Sequence, residues 1–386
     1  MAKVSAIRCA QYDDGKLDAL MDGHFGHLGI GDGGLAVDGR RVFIKANLLK
    51  KSTPDEACVT HPRYVGALAR ALMSRGASVT VGDSPGGDFS ASHLRRVYKG
   101  SGYEEVAAEF GFGLSYDTSV TTVGTGPTYK VTKAVLDSDL VVSAAKLKTH
   151  ALMTYTGAVK NMFGAVPGLT KAQHHMKNRK AFASMLVDVC EAVRPHASFI
   201  DGIWGMEGNG PSGGTLRRMD VSVASLSPYA ADAAAMALIG LGTGDVPYMA
   251  EAAARGLCPA LGELEVMPEG FEAMVGAFGV RDYAMPETRM VSLRTVRGFL
   301  PERLRRLFGG GARTCPVVAR DRCVGCGDCA DICPASAVRV MGGAADIETR
   351  GCISCFCCHE VCPAKAIDIV PVGKLRKRAA KVGKDG

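Results

Sequence analysis

Two rhythms of apolar positions run through the first three quarters of the chain. Residues 41–49 (RVFIKANLL) form a run of β-branched and large apolar side chains that predicts a strand. His61-Pro62 then opens a stretch of helical periodicity reaching about residue 75, with Pro62 suited to the first turn and Gly76 beyond the last. Residues 77–81 predict a second strand, which completes a β-α-β unit. Gly82-Asp83-Ser84-Pro85-Gly86-Gly87 forms a loop at its carboxyl end, where open α/β sheets place ligands. Further strands are expected in 134–145, around Leu140-Val141-Val142, and in 197–203 and 221–226, followed by an alanine-rich helix over 229–241. Strands alternating with helices at these distances predict an α/β fold, a mostly parallel sheet with helices on both faces.

The pattern changes near the C-terminus. Eight cysteines fall into two copies of one spacing, Cys323-x2-Cys326-x2-Cys329-x3-Cys333-Pro334 and Cys352-x2-Cys355-x2-Cys358-x3-Cys362-Pro363. This is the ligand pattern of a two-cluster bacterial ferredoxin, in which the fourth cysteine of each run serves the other cluster. The expected ligand sets are therefore crossed: Cys323, Cys326, Cys329 and Cys362 on one [4Fe-4S] cluster, and Cys352, Cys355, Cys358 and Cys333 on the other. An offset of 29 residues also superimposes Ile332 on Val361, Ala337 on Ala366, Val338 on Ile367 and Val340 on Ile369, so each half is one structural unit. Structural zinc would need only four thiolates in two pairs and would leave the remaining cysteines without a role. Disulfides are not expected, because no charged segment with an apolar core and cleavage site opens the chain; the thiols should stay reduced, in the cytoplasm. Cys9, Cys58, Cys190, Cys258, Cys315 and Cys357 fall outside the pattern and read as non-ligands, most of them small buried apolar residues.

At 386 residues the chain is far longer than such a module needs. The expected division is an α/β domain over 1–300, a linker over 301–314, a small α+β two-cluster ferredoxin-like domain over 315–372 and a basic tail over 373–386. No apolar run approaches the roughly 20 residues that cross a bilayer. The net charge of +7 owes much to Lys374, Arg376, Lys377, Arg378, Lys381 and Lys384 in the tail, which reads as a solvated segment or a handle for an acidic redox partner. One Trp and few aromatics argue against nucleic-acid binding by base stacking.

Between residues 146 and 214 polar groups gather in what read as three loops. The first is Lys146-Leu147-Lys148-Thr149-His150. The second runs from Thr156 through Gly157, Lys160, Asn161 and Gly164 to Gly168, Lys171, His174 and His175. The third runs from Asp201 through Trp204, Glu207, Asn209 and Gly210 to Gly214. Glycines let backbone N–H groups approach a ligand, and Lys and Asn add donors, so the set suits a small anionic ligand such as a carboxylate or phosphate. Neither a Walker loop nor a complete dinucleotide fingerprint is present. His61, His150, His174 and His175 with Asp83, Asp201 and Glu207 offer an alternative metal site, though their spacing matches no familiar zinc motif.

These residues resemble the domain-of-unknown-function family 362, whose bacterial and archaeal members are frequently fused to ferredoxin-like modules. The matching stretches are Ile44-Lys45-Ala46-Asn47-Leu48, Thr60-His61-Pro62, Gly82-Asp83-Ser84-Pro85-Gly86, Lys146-Leu147-Lys148-Thr149-His150, Thr156 to Gly164 and Met206-Glu207-Gly208-Asn209-Gly210-Pro211. The resemblance implies one α/β domain plus the two-cluster module and brings no settled reaction. A remoter similarity is to the nickel-pincer lactate racemases, on Gly157, Gly164, Pro167-Gly168, Lys171 and His174 or His175; it implies Lys171 on a cofactor phosphate or carboxylate and one histidine on metal.

The expected function is an iron–sulfur oxidoreductase relaying electrons between a redox partner protein and a small anionic substrate or cofactor. Lys148, His150, Lys160 and His174 are the candidate catalytic residues, His being the better acid at neutral pH. Lys45, Asn47, Asn161, Gly164, Lys171, Asn209 and Gly210 are the candidates to bind the substrate or cofactor. The alternatives are a non-enzymatic electron carrier whose large domain only docks partners, and a maturation factor that handles a metal or a biosynthetic intermediate. A carrier would show an open surface over these loops where an enzyme would show an enclosed pocket.

Overall fold

The apolar runs assemble into a nine-stranded sheet in the computed structural model, which describes residues 1–175, 178–286 and 314–371. Its strands are β1 (Ala2–Arg8), β2 (Arg41–Ala46), β3 (Ser78–Gly82), β4 (Gly113–Leu114), β7 (Leu140–His150), β8 (Thr154–Thr156), β9 (Ala197–Glu207), β10 (Thr215–Ser225) and β11 (Leu264–Met267); β5 (Val120–Val123) and β6 (Tyr129–Thr132) form a separate hairpin. The order is β11-β1-β10-β9-β7-β2-β3-β4, with β8 on β7. The run from β9 through β7, β2 and β3 to β4 is parallel, as is β1 with β11, whereas β10 is antiparallel to both its neighbours. The fold is α/β with a mostly parallel sheet, as expected.

Alternate residues of each strand feed opposite cores. Val42, Ile44, Val142 and Ala144 pack under the helices α1 (Asp14–Leu28), α2 (Pro62–Met73), α3 (Ala91–Gly100) and α4 (Tyr103–Phe110). After the short helix α5 (Lys133–Leu136), the other face is covered by α6 (Ala158–Asn161), α8 (Arg179–Val193), α9 (Pro228–Ala237) and α10 (Pro247–Ala254), which pack on Phe43, Val141, Ala145 and Ile200; α7 (Gly168–His175) lies between α6 and α8 in the chain, and α11 (Phe271–Phe278) follows β11. Period-2 alternation on strands buried on both faces reads as a nearly continuous apolar run, which is why β2, β7 and β9 were legible.

Two expected loops are strand instead. Lys146 to His150 is the buried end of β7, and 201–207 is the end of β9. The lysines tolerate this because each ammonium finds oxygen partners inside: Lys146 Nζ reaches Asp201 Oδ2 at 2.8 Å and Tyr12 Oη at 2.9 Å, and Lys148 Nζ reaches Asn47 Oδ1 at 2.7 Å. Pairing with β8 and β9 completes the backbone hydrogen bonding of that segment. The third loop accordingly shrinks to residues 208–214.

The C-terminal module holds two antiparallel pairs, β12 (Thr314–Val318) with β15 (Ile367–Pro371) and β13 (Val338–Met341) with β14 (Ala344–Ile347), and two short helices, α12 (Asp328–Asp331) and α13 (Cys357–Val361). The starts of α12 and α13, and of β13 and β15, obey the 29-residue offset of the sequence repeat. The expected linker, apart from Thr314, and the basic tail lie outside the described residues. The module sits on the carboxyl-end loops of the sheet: Lys50 Nζ donates to the Cys362 carbonyl at 2.6 Å, Ser212 Oγ to the His359 carbonyl at 3.1 Å, and His359 Nε2 lies 3.0 Å from the Asn209 carbonyl.

Candidate functional site

Where the module meets the sheet, a cavity of about 70 Å³ opens. The α/β domain supplies Asn47 and Leu49 after β2, Asp83, Ser84 and Gly86 after β3, Lys160 and Asn161 of α6, Phe163 and Gly164 beyond it, and Lys171 of α7. Ile332, Cys357, Glu360 and Val361 of the module close the other side. The position follows the rule for open α/β sheets, since β2 and β3 both end there.

Local chemistry fixes these side chains. Asp83 accepts from Leu48 N–H at 2.6 Å and Ser84 N–H at 2.7 Å and forms an ion pair with Lys45 at 2.6 Å, tying the β2 and β3 loops together. Asn161 Nδ2 donates to the Lys45 carbonyl at 2.8 Å and to Ser143 Oγ at 3.1 Å, which anchors α6 on the sheet. Asp232, reaching across from α9, accepts from Ala158 N–H at 2.6 Å and Val159 N–H at 3.1 Å at the start of that helix; burial pushes its carboxyl up to about 7. Gly164 has no substitute here, because a Cβ would overlap Lys45 Nζ and Asp83 Oδ1.

The electrostatics are dominated by lysines. Burial lowers the ammonium pKa of Lys45 despite Asp83, and that of Lys160 despite Glu360. It pushes Lys148 down to about 7, and Lys171 down to about 7 with Lys45 and Lys160 adding repulsion. Charge is costly to hold in such a place without counter-charge. Lys171 donates to the Ser84 carbonyl, and Lys148 sits behind the wall, bonded to Asn47 Oδ1 and, at 2.5 Å, to the Cys58 carbonyl.

Of the expected site residues, Asn47, Lys160, Asn161, Gly164 and Lys171 line the cavity. Lys45 and Lys148 lie directly behind it. His150 does not face the cavity: its Nδ1 accepts from Leu152 N–H at 3.1 Å, which leaves the ring proton on Nε2, 3.2 Å from Glu360 Oε1 across the seam. His174 rests near the rings of Tyr129 and Phe163, 6.0 and 6.4 Å away between centroids, and is not part of the lining. Asn209 and Gly210 do not line the cavity: the Asn209 carbonyl meets His359 of the module, and the Gly210 carbonyl accepts from Ala151 N–H at 3.0 Å. Among the described residues no three His, Cys, Asp or Glu side chains converge as a single metal ion would require, so the histidine–carboxylate metal set does not form among them. Nothing in the sequence singles out Ser84, although its loop follows a strand end where open α/β sheets place ligands. The module's own contribution, Cys357, Glu360 and their neighbours, carried no signal because it exists only once the two parts dock.

In the module, Cys323, Cys326, Cys329 and Cys362 line one small cavity, and Cys333, Cys352, Cys355 and Cys358 line another. These are the crossed sets implied by the spacing. Four thiols around an enclosed space fit a cubic iron–sulfur cluster better than a single zinc ion, which would draw its sulfurs onto one point. Backbone donors already face the sulfurs: Ala337 N–H to Cys333 Sγ at 3.2 Å and Ala366 N–H to Cys362 Sγ at 3.2 Å, again 29 residues apart, with Ala345 N–H to Cys323 Sγ at 3.3 Å and Ser354 N–H to Cys352 Sγ at 3.4 Å. Such bonds favour the thiolate and tune a cluster's potential. None of the fourteen cysteines forms a disulfide.

An α/β domain carrying a C-terminal ferredoxin-type module defines an iron–sulfur protein of the electron-transfer class. The chain belongs to the family Domain of unknown function (DUF362), whose model matches residues 42–237, and a 4Fe-4S dicluster domain matches residues 315–363. A thylakoid-associated protein of Synechocystis sp. is 35% identical over 270 residues, covering 68% of this chain and 82% of that protein. Among solved structures, the lactate racemase apoprotein from Thermoanaerobacterium thermosaccharolyticum aligns with a TM-score of 0.34 at 13% identity, over 52% of this chain and 50% of that one. A Thermotoga maritima protein aligns with a TM-score of 0.32 at 13% identity, over 52% of each chain. The match thus spans about half the length of both. No helix among the described residues is long and apolar enough to cross a membrane.

Proposed function

We propose that this protein is an iron–sulfur oxidoreductase that relays electrons through two [4Fe-4S] clusters to or from a small anionic ligand held in the cavity at the domain junction. The observation that carries the reading is the shared wall: Asn47, Ser84, Lys160 and Lys171 face Ile332, Cys357, Glu360 and Val361, and the latter alternate in sequence with the cysteines of both ligand sets. The bound clusters would supply one-electron transfer. The chain's own groups do the rest. Lys160 and Lys171 attract and orient the anion. Lys171, pushed to about 7, can take up or release a proton at neutral pH beside the bound ligand. Lys148, also about 7, holds the Asn47 side chain from behind the cavity wall. The His150–Glu360 contact holds α13, and with it Cys358 and Cys362, against the sheet.

A bare carrier has no use for a cavity walled by both domains, which favours this reading over a docking module. Cys326 is exposed, unlike Cys355, Cys358 and Cys362, so the first cysteine loop is where a redox partner protein would approach. Unpaired thiols throughout suit a reducing compartment such as the cytoplasm. The test is anaerobic reconstitution of the full chain: about eight iron atoms per chain and a dithionite-induced [4Fe-4S] EPR signal are expected. Failure to form reducible clusters ends the reading.

A further inference from the structure

Building on the junction cavity as the ligand site, we propose that its ligand is a small carboxylate with an apolar carbon skeleton, and not a phosphate ester or nucleotide. Two side chains stand ready for it. The Ser84 hydroxyl, only 1% exposed and in the cavity wall, has no hydrogen-bond partner among the described residues. A buried hydroxyl left so is costly unless something occupies the space beside it. The Lys160 ammonium, in the same wall, makes no hydrogen bond or ion pair among the described residues and lies 5.7 Å from the centroid of the Phe163 ring. One hydroxyl and one ammonium serve the two oxygens of a planar carboxylate.

A phosphate asks for more. Its tetrahedral oxygens are ordinarily met by a run of free backbone N–H groups in a glycine-rich loop or at a helix start. In the β2 and β3 loops and at the start of α6 those donors are engaged: Leu48 and Ser84 N–H on Asp83 at 2.6 and 2.7 Å, Gly86 N–H on the Leu49 carbonyl at 3.0 Å, and Ala158 and Val159 N–H on Asp232. Gly164 and Gly168 are close-packed, a Cβ at the first overlapping Lys45 Nζ and at the second the Gly87 carbonyl. Part of the wall, Leu49, Phe163, Ile332 and Val361, is apolar and suits a hydrocarbon skeleton better than a sugar phosphate. Charge agrees: Asp83 is matched by Lys45 at 2.6 Å, and the Lys160 ammonium in the same wall makes no ion pair among the described residues.

Binding should also take up protons. Lys171 feels Asp83 and Glu360 as attraction and Lys45 and Lys160 as repulsion, and burial holds it near 7. An arriving carboxylate favours its charged form, so affinity falls as pH rises above about 7.

The experiment is calorimetry on the anaerobically reconstituted full chain with butanoate, butanamide and inorganic phosphate, at pH 8 in two buffers of different ionisation enthalpy. Butanoate is expected to bind with proton uptake, and butanamide and phosphate to bind at least about tenfold more weakly. Ser84→Ala and Lys160→Met, with cluster absorbance unchanged, should each weaken butanoate by about tenfold or more. Phosphate binding as tightly as butanoate overturns the carboxylate assignment, and butanoate binding indifferent to both substitutions overturns the site. No butanoate binding to a chain whose clusters are reducible also sinks it, while leaving the electron-transfer reading standing; a chain without reducible clusters strikes that reading instead.

Discussion

Around each cavity of the C-terminal module, three of the four cysteines come from a single loop and the fourth from the matching position of the other repeat. The junction cavity is assembled differently, with Asn47, Ser84, Lys160 and Lys171 drawn from separate elements of the α/β domain and Glu360 from the module itself. The first kind of site is written in spacing, because a short loop has few ways to present three thiols. The second is a product of the whole sheet. The difference has a consequence for mutation: damage in the module should be confined to a cofactor, whereas damage at the cavity should be felt as stability.

The largest effect is expected within the module. Cys355→Ser removes a ligand from one set and should cut iron to about half, with one cluster's EPR signal lost. Cys357→Ser, two residues on and equally buried, should leave iron unchanged, since Cys357 lines the junction cavity and neither cluster cavity. Equal iron loss in the two variants would overturn the ligand assignment. The complementary change is Gly164→Ala. Its Cβ would overlap Lys45 Nζ and Asp83 Oδ1, two groups locked in a buried ion pair, and overpacking of this kind costs about 2 kcal/mol. The thermal midpoint should fall while iron per folded chain holds. A midpoint matching the parent's would show that the loops are looser than the cavity requires.

Legibility in the sequence followed the same division. The eight cysteines, their crossed sets and the 29-residue repeat needed only spacing. Strands β2, β3, β7 and β9 were legible because buried parallel strands are nearly all apolar. Strand β10 was placed only in its second half, since Thr215 to Arg218 is polar and partly exposed. Strand β1 and helix α1 were not anticipated, as the alternation in Ala2–Arg8 is short and α1 carries apolar residues on more than one side. Lys146 to His150 was misread as a loop because lysines usually mark solvent, and nothing local announces that Asp201, Asn47 and Tyr12 will meet them inside. His174 and Asn209 carried the right chemistry but face, respectively, an aromatic cluster and the module's seat. The Ser84 hydroxyl becomes conspicuous only in the folded chain, where it has no hydrogen-bond partner among the described residues.

The seam between the two regions offers the smallest and most diagnostic change. His359 sits on α13 beside the ligand candidate Cys358, with Nδ1 2.6 Å from the Ile367 carbonyl within the module and Nε2 3.0 Å from the Asn209 carbonyl of the α/β domain. The ring thus lies between the two carbonyls, and Gly213 makes room for it: a Cβ there would overlap Cε1 and come within 2.8 Å of Nε2. Gly213→Ala must displace the ring from one carbonyl. The carbonyl that can be given up is that of Asn209, because the bond to Ile367 is internal to α13 and β15. Losing one such bond costs about 1 kcal/mol. No cysteine is touched, so iron and EPR should match the parent, while calorimetric unfolding should shift downward and the amides around residues 208–214 should exchange faster. If the unfolding midpoint and the exchange of that loop are both unchanged, the module does not rest on the sheet through His359, and the shared wall of the junction cavity loses its support.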